Sequence, residues 1–406
     1  LLLKGADVLW RSRLLSSMAR QTRHLARSSY RAETGYDRLM TAAGLVLAAL
    51  CLPGCDEEIE RGAELLRREL RLQIRPDGGH VGRNPSQQLA LVIRLQMISK
   101  AFAALGKAPP GFLSHTLGRA AAHVGFFRVG DGGLAVFNGG SEDDPKCILA
   151  AAEAAEQSSE LQGFAPHSGY QRLAAGRAIV IADTSLARGA GRFESAGSLH
   201  FSTGRHRLVV NCGSGAHLPG EWSKALVQAA AHSALGAEGA GAGVLQVGAL
   251  LHRRAEDSRG QLLEIERLFD EEDRLGPRAL RRLFLSAAGD NLRGEDTLIA
   301  PPAALASSWR IRFHLHPDVK ASQARDGKSV ILSVGAREGW RFRTNAPEMR
   351  LERSVYLGRG QMPQPTEQIV LSPGALEPAD AGDMLVRWAF QRLDGAWAAD
   401  ERSPGL

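Results

Sequence analysis

A chain of 406 residues, 44% hydrophobic and 23% charged, is long enough for two ordinary domains with sizeable cores, and its composition is that of a soluble globular protein. The formal net charge of +6 comes mainly from arginine rather than lysine, which suits an anionic partner (acidic polysaccharide or nucleic acid), because the planar guanidinium matches carboxylates. The longest apolar stretch, Ala42 to Pro53, is 12 residues, short of the ~20 that span a bilayer, so membrane insertion is excluded.

The opening, Leu1 to Trp10, has too short an apolar run and too many charges for a signal peptide. Up to about Leu161 the apolar period is helical. Leu14, Met18, Thr22 and Leu25 fall at three- and four-residue spacings, as do Ile59, Ala63, Leu66, Leu70 and Ile74. Pro53 and Gly54 separate two helices, and Arg75-Pro76-Asp77-Gly78-Gly79 is a sharp stop. A further helix is predicted from Gln87 to Leu105, with Asn84 as its cap and Pro85 at its first position. Helices joined by short Gly/Pro turns describe stacked helical hairpins, as in a toroid or bundle. Of Cys51, Cys55, Cys147 and Cys212, no set completes a zinc pattern, and all four are read as small buried thiols.

After about Gly163 the period becomes two. Strands are predicted over Ala178–Asp183, as a hairpin over Ser198–Cys212, over Arg310–His316, and as a hairpin over Val319–Val334 turning at Asp326-Gly327. Further strands are expected at Gly339–Arg343, Leu351–Leu357 and Glu367–Leu371. Strands at this spacing imply an antiparallel β-sandwich. Gly236–Gly248 reads as loop, Glu256–Leu285 as a solvated helix or loop, and no internal repeat is evident. His314 and His316 share a strand face and read as edge-strand polar residues.

The motif most able to carry chemistry is Asp77-Gly-Gly-His-Val-Gly-Arg-Asn-Pro-Ser-Gln-Gln88, a glycine turn delivering His80, Arg83 and Asn84 to the mouth of a helix. It resembles a segment of the heparinase II/III-like polysaccharide lyases of the form Asp-Gly-Gly-His-x-Glu-Arg-Ser-Pro-x-Tyr-His. Three further segments follow in that family's order. Ser195 to Phe201 resembles its His-x-Asp-x-Leu-Ser-Phe, Val210 to Gly213 its Val-Asp-Pro-Gly, and Ala231 to Ala234 its Ala-His-Asn-Thr. The stretch from Leu280 to Asp296 and the strand Arg312–Asp318 also resemble family segments, so that the likeness covers roughly residues 1–371.

The resemblance implies an α+β multidomain chain: an incomplete, N-terminally trimmed α/α toroid-like helical domain over 1–162, then an antiparallel β-sandwich over 163–406. It implies β-elimination, in which a uronate carboxylate is neutralised, a side chain removes the adjacent ring proton and the glycosidic oxygen leaves. On that reading His80, Asn84 and His232 are the catalytic candidates, and Arg83 and Tyr170 the substrate-binding ones. The partner is an anionic polysaccharide rather than nucleic acid, and the family association places it in the cell envelope. Departures accompany the matches. The family's Tyr-His pair is Gln87-Gln88, its glutamate is Gly82, its zinc-type His-x-Asp is Ser195-Ala-Gly197, and the next aspartate is Asn211. Of three expected zinc ligands only His232 remains, so no metal or other cofactor is expected. The alternatives are a catalytically weakened glycan-binding protein that keeps the cleft without the base, and, third, a nucleic-acid binder.

Overall fold

The computed structural model describes residues 5, 7–155, 163–185, 193–239, 249–268, 276–301, 303–335, 338–360, 362–373 and 383–393. The chain divides into two compact units, residues 1–126 with 146–161, and residues 127–145 with 162–406.

The first unit is helical: α1 (Val8–Ser28), α2 (Tyr36–Leu50), α3 (Asp56–Gln73), α4 (Pro85–Ala104), α5 (Gly111–Phe127) and α6 (Pro145–Ala152). Local chemistry marks their ends. Asp7 caps α1 by accepting from Leu9 N and Trp10 N, and three acidic residues, Asp56, Glu57 and Glu58, sit in the first turn of α3, where the helix dipole favours them. Asn84 caps α4 with its Oδ1 on Ser86 N and Gln87 N. Leu39, Ala42, Val46 and Leu50 of α2 form a core with Leu66 and Leu70 of α3 and Leu91, Leu95 and Ile98 of α4. Among the described residues no helix is long and apolar enough to cross a membrane. Cysteine burial departs from expectation. Cys212 is buried, but Cys51 and Cys147 are exposed, Cys51 because it ends α2 at a solvent-facing turn.

The second unit holds two antiparallel sheets. One contains β1 (Phe164–Ala165), β2 (Tyr170–Ala175), β3 (Ala178–Asp183), β4 (Leu199–Thr203), β5 (His206–Val210), β6 (Leu235–Ala237), β11 (Trp309–Leu315), β15 (Glu348–Tyr356) and β16 (Gln364–Ser372). Its order is β1-β2-β3-β4-β5-β11-β16-β15, with β6 also on β11. The other contains β7 (Ala249–Asp257), β8 (Gly260–Leu268), β9 (Arg278–Ser286), β10 (Asn291–Ile299), β12 (Val319–Gln323), β13 (Ser329–Val334), β14 (Glu338–Thr344) and β17 (Met384–Leu393), ordered β12-β13-β14-β17-β10-β9-β8-β7. Their inner faces share one core. Phe313 packs edge-on to Trp388 at 4.7 Å and Phe201 to Trp340 at 5.1 Å.

Three further sequence expectations are corrected here. In Glu256–Leu285 the described residues are neither helix nor solvated loop: together with their neighbours they supply β7–β9, their charges alternating with core residues such as Leu263, Ile265 and Leu283, while residues 269–275 lie outside those described. The Gly/Ala-rich stretch is partly strand (β6), and its residues 240–248 lie outside those described. There is also an internal repeat. After α3, Ile74 bridges His80 around Asp77-Gly78-Gly79, and after α5, Arg128 bridges Leu134 around Asp131-Gly132-Gly133. In both, the aspartate Oδ1 accepts from the N–H of the second glycine, Gly79 at 3.2 Å and Gly133 at 2.8 Å. The second copy, read from sequence with the helices, falls in the second unit with residues 127–145.

Candidate functional site

The glycine turn of the first unit is built for close approach. Gly78 has φ 85°, and any Cβ there would strike the Arg119 carbonyl of α5. His80 follows, buried at 3% exposure. Gly82 N–H donates to its Nδ1 at 3.0 Å, so the ring proton resides on Nε2, which donates to Gln73 Oε1 at 2.8 Å. The Gln73 amide donates in turn to Glu69 and to the Gly35 carbonyl, both at 2.8 Å. Tyr36 packs edge-on against the ring at 5.5 Å. Burial, assisted by the Arg75 charge, holds this imidazole at about 4, well below its ordinary 6.5.

Gln88, at the family's histidine position, is also buried. Its Oε1 accepts from His80 N, and its Nε2 donates to the carbonyls of Gly78 and Ala120. Arg83 is buried in the left-handed region at φ 57° and acts on buried His123, which burial likewise lowers to about 4. Asn84 is committed to its cap.

In the second unit Tyr170 is fully buried, edge-on to Phe127 at 4.7 Å, and its hydroxyl accepts from Asn138 Nδ2 at 2.7 Å. Asn138 Oδ1 meets the Ser195 hydroxyl at 2.9 Å, and Asp183 Oδ2 meets it at 2.7 Å. His232 is buried against Phe193, ring centroids 5.9 Å apart, and burial lowers it to about 4. Thus His80, Arg83 and Asn84 share one turn of the first unit, and Tyr170 and His232 belong to the second.

The donors at the three positions of the expected zinc site do not fit that ion. The Ser195 hydroxyl lies between Asp183 and Asn138. The Asn211 amide is taken up by the Val136 carbonyl and Ser233 N–H. Only His232 offers an imidazole. Among the described residues no group of three or more His, Cys, Asp or Glu side chains could hold a metal.

A second polar cluster was not singled out from sequence. Glu142 Oε1 accepts from Tyr356 at 2.7 Å and from His316 Nε2 at 2.9 Å, with Arg359 at 3.4 Å from its other oxygen. Arg207 pairs with Asp131 at 2.7 Å and donates to the Leu134 carbonyl at 2.7 Å. Burial alone would raise the Glu142 carboxyl, but the His316 hydrogen bond, the Arg207 charge and the Tyr356 hydroxyl outweigh it and hold it at about 2. His200, fully buried nearby, has no hydrogen-bond partner on either ring nitrogen among the described residues. His314 and His316 are not edge residues. β11 lies between β5 and β16, and both imidazoles are buried, His314 on Ser354 at 2.7 Å and the Ala230 carbonyl at 3.0 Å. The repeated Asp-Gly-Gly was the sequence signal that could have located Asp131 and the segment carrying Glu142.

The Heparinase II/III-like, C-terminal family matches residues 158–389. FtsZ-localized protein C of Caulobacter vibrioides (strain NA1000 / CB15N) is 31% identical over 409 residues, covering 94% of this chain and 69% of that protein. Among solved structures, heparinase III superposes with a TM-score of 0.72 at 15% identity, covering 96% of this chain and 67% of that one. A heparan sulfate lyase from Pedobacter heparinus gives 0.69 at 12% identity, covering 94% of this chain and 63% of that one. The chain therefore spans about two thirds of the length of the lyases it resembles in fold.

Proposed function

Since the chain belongs to the heparinase II/III-like family, we propose that it engages acidic, uronate-bearing polysaccharide as a binding protein in which the proton transfers of elimination are weakened or lost. The observation that carries this reading is the commitment of the candidate acid–base groups to structure. His80 uses both ring nitrogens inside the protein, Tyr170 is fully buried with its hydroxyl on Asn138, and His232 is 2% exposed. A general base must reach the proton it removes, and a buried imidazole held near 4 and already hydrogen-bonded is a poor one. Gln87 and Gln88, where the family has Tyr-His, cannot replace it near neutral pH.

Family membership and the arginine-borne positive charge support the glycan as ligand. The test mixes the protein with heparan sulfate under conditions where a lyase control yields ultraviolet-absorbing unsaturated product. Binding without such product is expected. Product formation abolished by His80→Ala would restore the eliminating enzyme implied by the sequence resemblance.

The name of the 31% identical relative favours a second reading, association with FtsZ. Co-sedimentation with FtsZ polymers, absent from a control lacking polymer, tests it.

A further inference from the structure

The outer face of the β7–β10 sheet carries two rows of side chains that the polysaccharide reading leaves unused. In one row, Arg253, Glu264, Arg282, Glu295 and Arg387 stand opposite one another across five strands. They form a continuous ladder of ion pairs at 2.7, 2.7, 3.0 and 3.1 Å. Two residues along, the second row runs Leu262, Phe284, Arg293, Ala389, Arg343 in the same register. Here the charges are uncompensated: among the described residues neither Arg293 nor Arg343 makes an ion pair, and both are exposed. Arg293 donates to Asn291 Oδ1 at 3.3 Å, and Arg343 acts through space on Asp326.

Between these arginines the surface dips at Ala389, whose side chain is small. The result is a groove of about 520 Å³, with Phe284 and Leu262 at one side and Arg282, Arg293, Arg343 and Arg387 around it. That volume falls within the range of small-ligand sites, roughly 300–1,000 Å³.

We propose that this groove is a binding subsite for an acidic oligosaccharide, with Arg293 and Arg343 clamping its carboxylate or sulfate groups and Phe284 stacking a sugar ring. The proposal rests on the polysaccharide reading above and places a contact point on the sheet's outer face. Two strand spacings separate the arginines, about 10 Å, a span suited to one or two pyranose rings bearing acidic groups. Guanidinium forks match such groups bidentately. The Glu264 and Glu295 ladder fixes Arg282 and Arg387 in place and interrupts the basic surface, which disfavours a continuous nucleic-acid track. A peptide cannot add here as a strand, because β8, β9, β10, β17 and β14 are each paired on both sides.

The test is titration of a heparan sulfate-derived tetrasaccharide into the full chain at low salt, with maltotetraose and hexaglutamate alongside. The wild type should bind the acidic sugar and not maltotetraose. Arg293→Ala/Arg343→Ala should weaken binding at least tenfold with an unchanged melting temperature, and Arg293→Lys/Arg343→Lys should retain part of it. Undiminished binding by the double alanine variant overturns the groove while leaving the polysaccharide reading standing. Hexaglutamate binding as tightly as the sugar overturns the ligand class. A wild type that binds no tetrasaccharide removes both.

Discussion

His80 shows how one residue type in one motif can serve opposite ends. The glycine turn and the Asn84 cap were legible in the sequence, because φ > 0 and helix starts have few chemical solutions. The destination of the imidazole was not, since it depends on Gln73 and Gln88 arriving from α3 and α4. Removing the ring takes the acceptor from the Gly82 N–H and leaves the buried Gln73 Oε1 without the donor it has in His80. His80→Ala is therefore expected to cost about 1–3 kcal/mol in chemical denaturation. An unchanged midpoint would point to a solvent-facing role instead. Acid stability follows from the same residues. An unfolded histidine protonates around 6.5, whereas folded His80, His123 and His232 wait until about 4. Between those values the unfolded chain binds more protons, so stability should fall as pH drops from about 6.5 to 4, with an upper bound of about 3 kcal/mol per histidine. A flat denaturation midpoint across that window would contradict the burial of these rings.

At the scale of elements, the helix-to-strand switch near Gly163 and the hairpin at Asp326-Gly327 were readable from period and turn chemistry. The β7–β9 stretch was not, because its charges resembled a solvated surface. They are one face of strands whose other face holds Leu263, Ile265 and Leu283, and the pairing of Glu264 with Arg282 becomes visible only once the strands are in register. β17, central in its sheet, was also missed. One buried contact ties these elements together. Asp296 of β10 accepts from Arg281 of β9 at 2.6 and 3.0 Å and from Trp388 of β17 at 2.8 Å. Arg281 also donates to the Gly197 and Ser233 carbonyls beside the other sheet. Asp296→Ala leaves a buried guanidinium without its counter-charge and should cost about 3–5 kcal/mol. Thermal unfolding measures this, and a loss below about 1 kcal/mol would mean that Arg281 finds solvent when its partner is removed.

Across the whole molecule, the segment 127–145 is the feature that sequence order conceals. It follows a helix of the first unit, yet its side chains complete the second. Asp131 and Glu142 neutralise Arg207, the Val136 carbonyl takes the Asn211 amide, Asn138 meets Tyr170, and Glu142 binds His316 and Tyr356. A division at 162/163 would strip all of these partners from the sheet at once. Arg207, with 1% of its side chain exposed, would keep its charge without a carboxylate, and an uncompensated buried ion destabilises by about 3–5 kcal/mol before any hydrogen bond is counted. Folded domains are stabilised by only about 5–15 kcal/mol in total. A fragment beginning at residue 163 is therefore expected to lack cooperative unfolding and to bind hydrophobic dyes, whereas one beginning at residue 127 should unfold in a single transition. Glu142→Ala in the full chain gives the graded form of the same experiment. Because the Glu142 carboxyl is held at about 2, its contribution is present above the ordinary carboxylate range and disappears as pH falls from about 4.5 to 2. The wild type should exceed Glu142→Ala in stability at pH 6, and the difference should shrink toward pH 2. A gap that persists unchanged at pH 2 would assign the role of Glu142 to packing rather than to its charge.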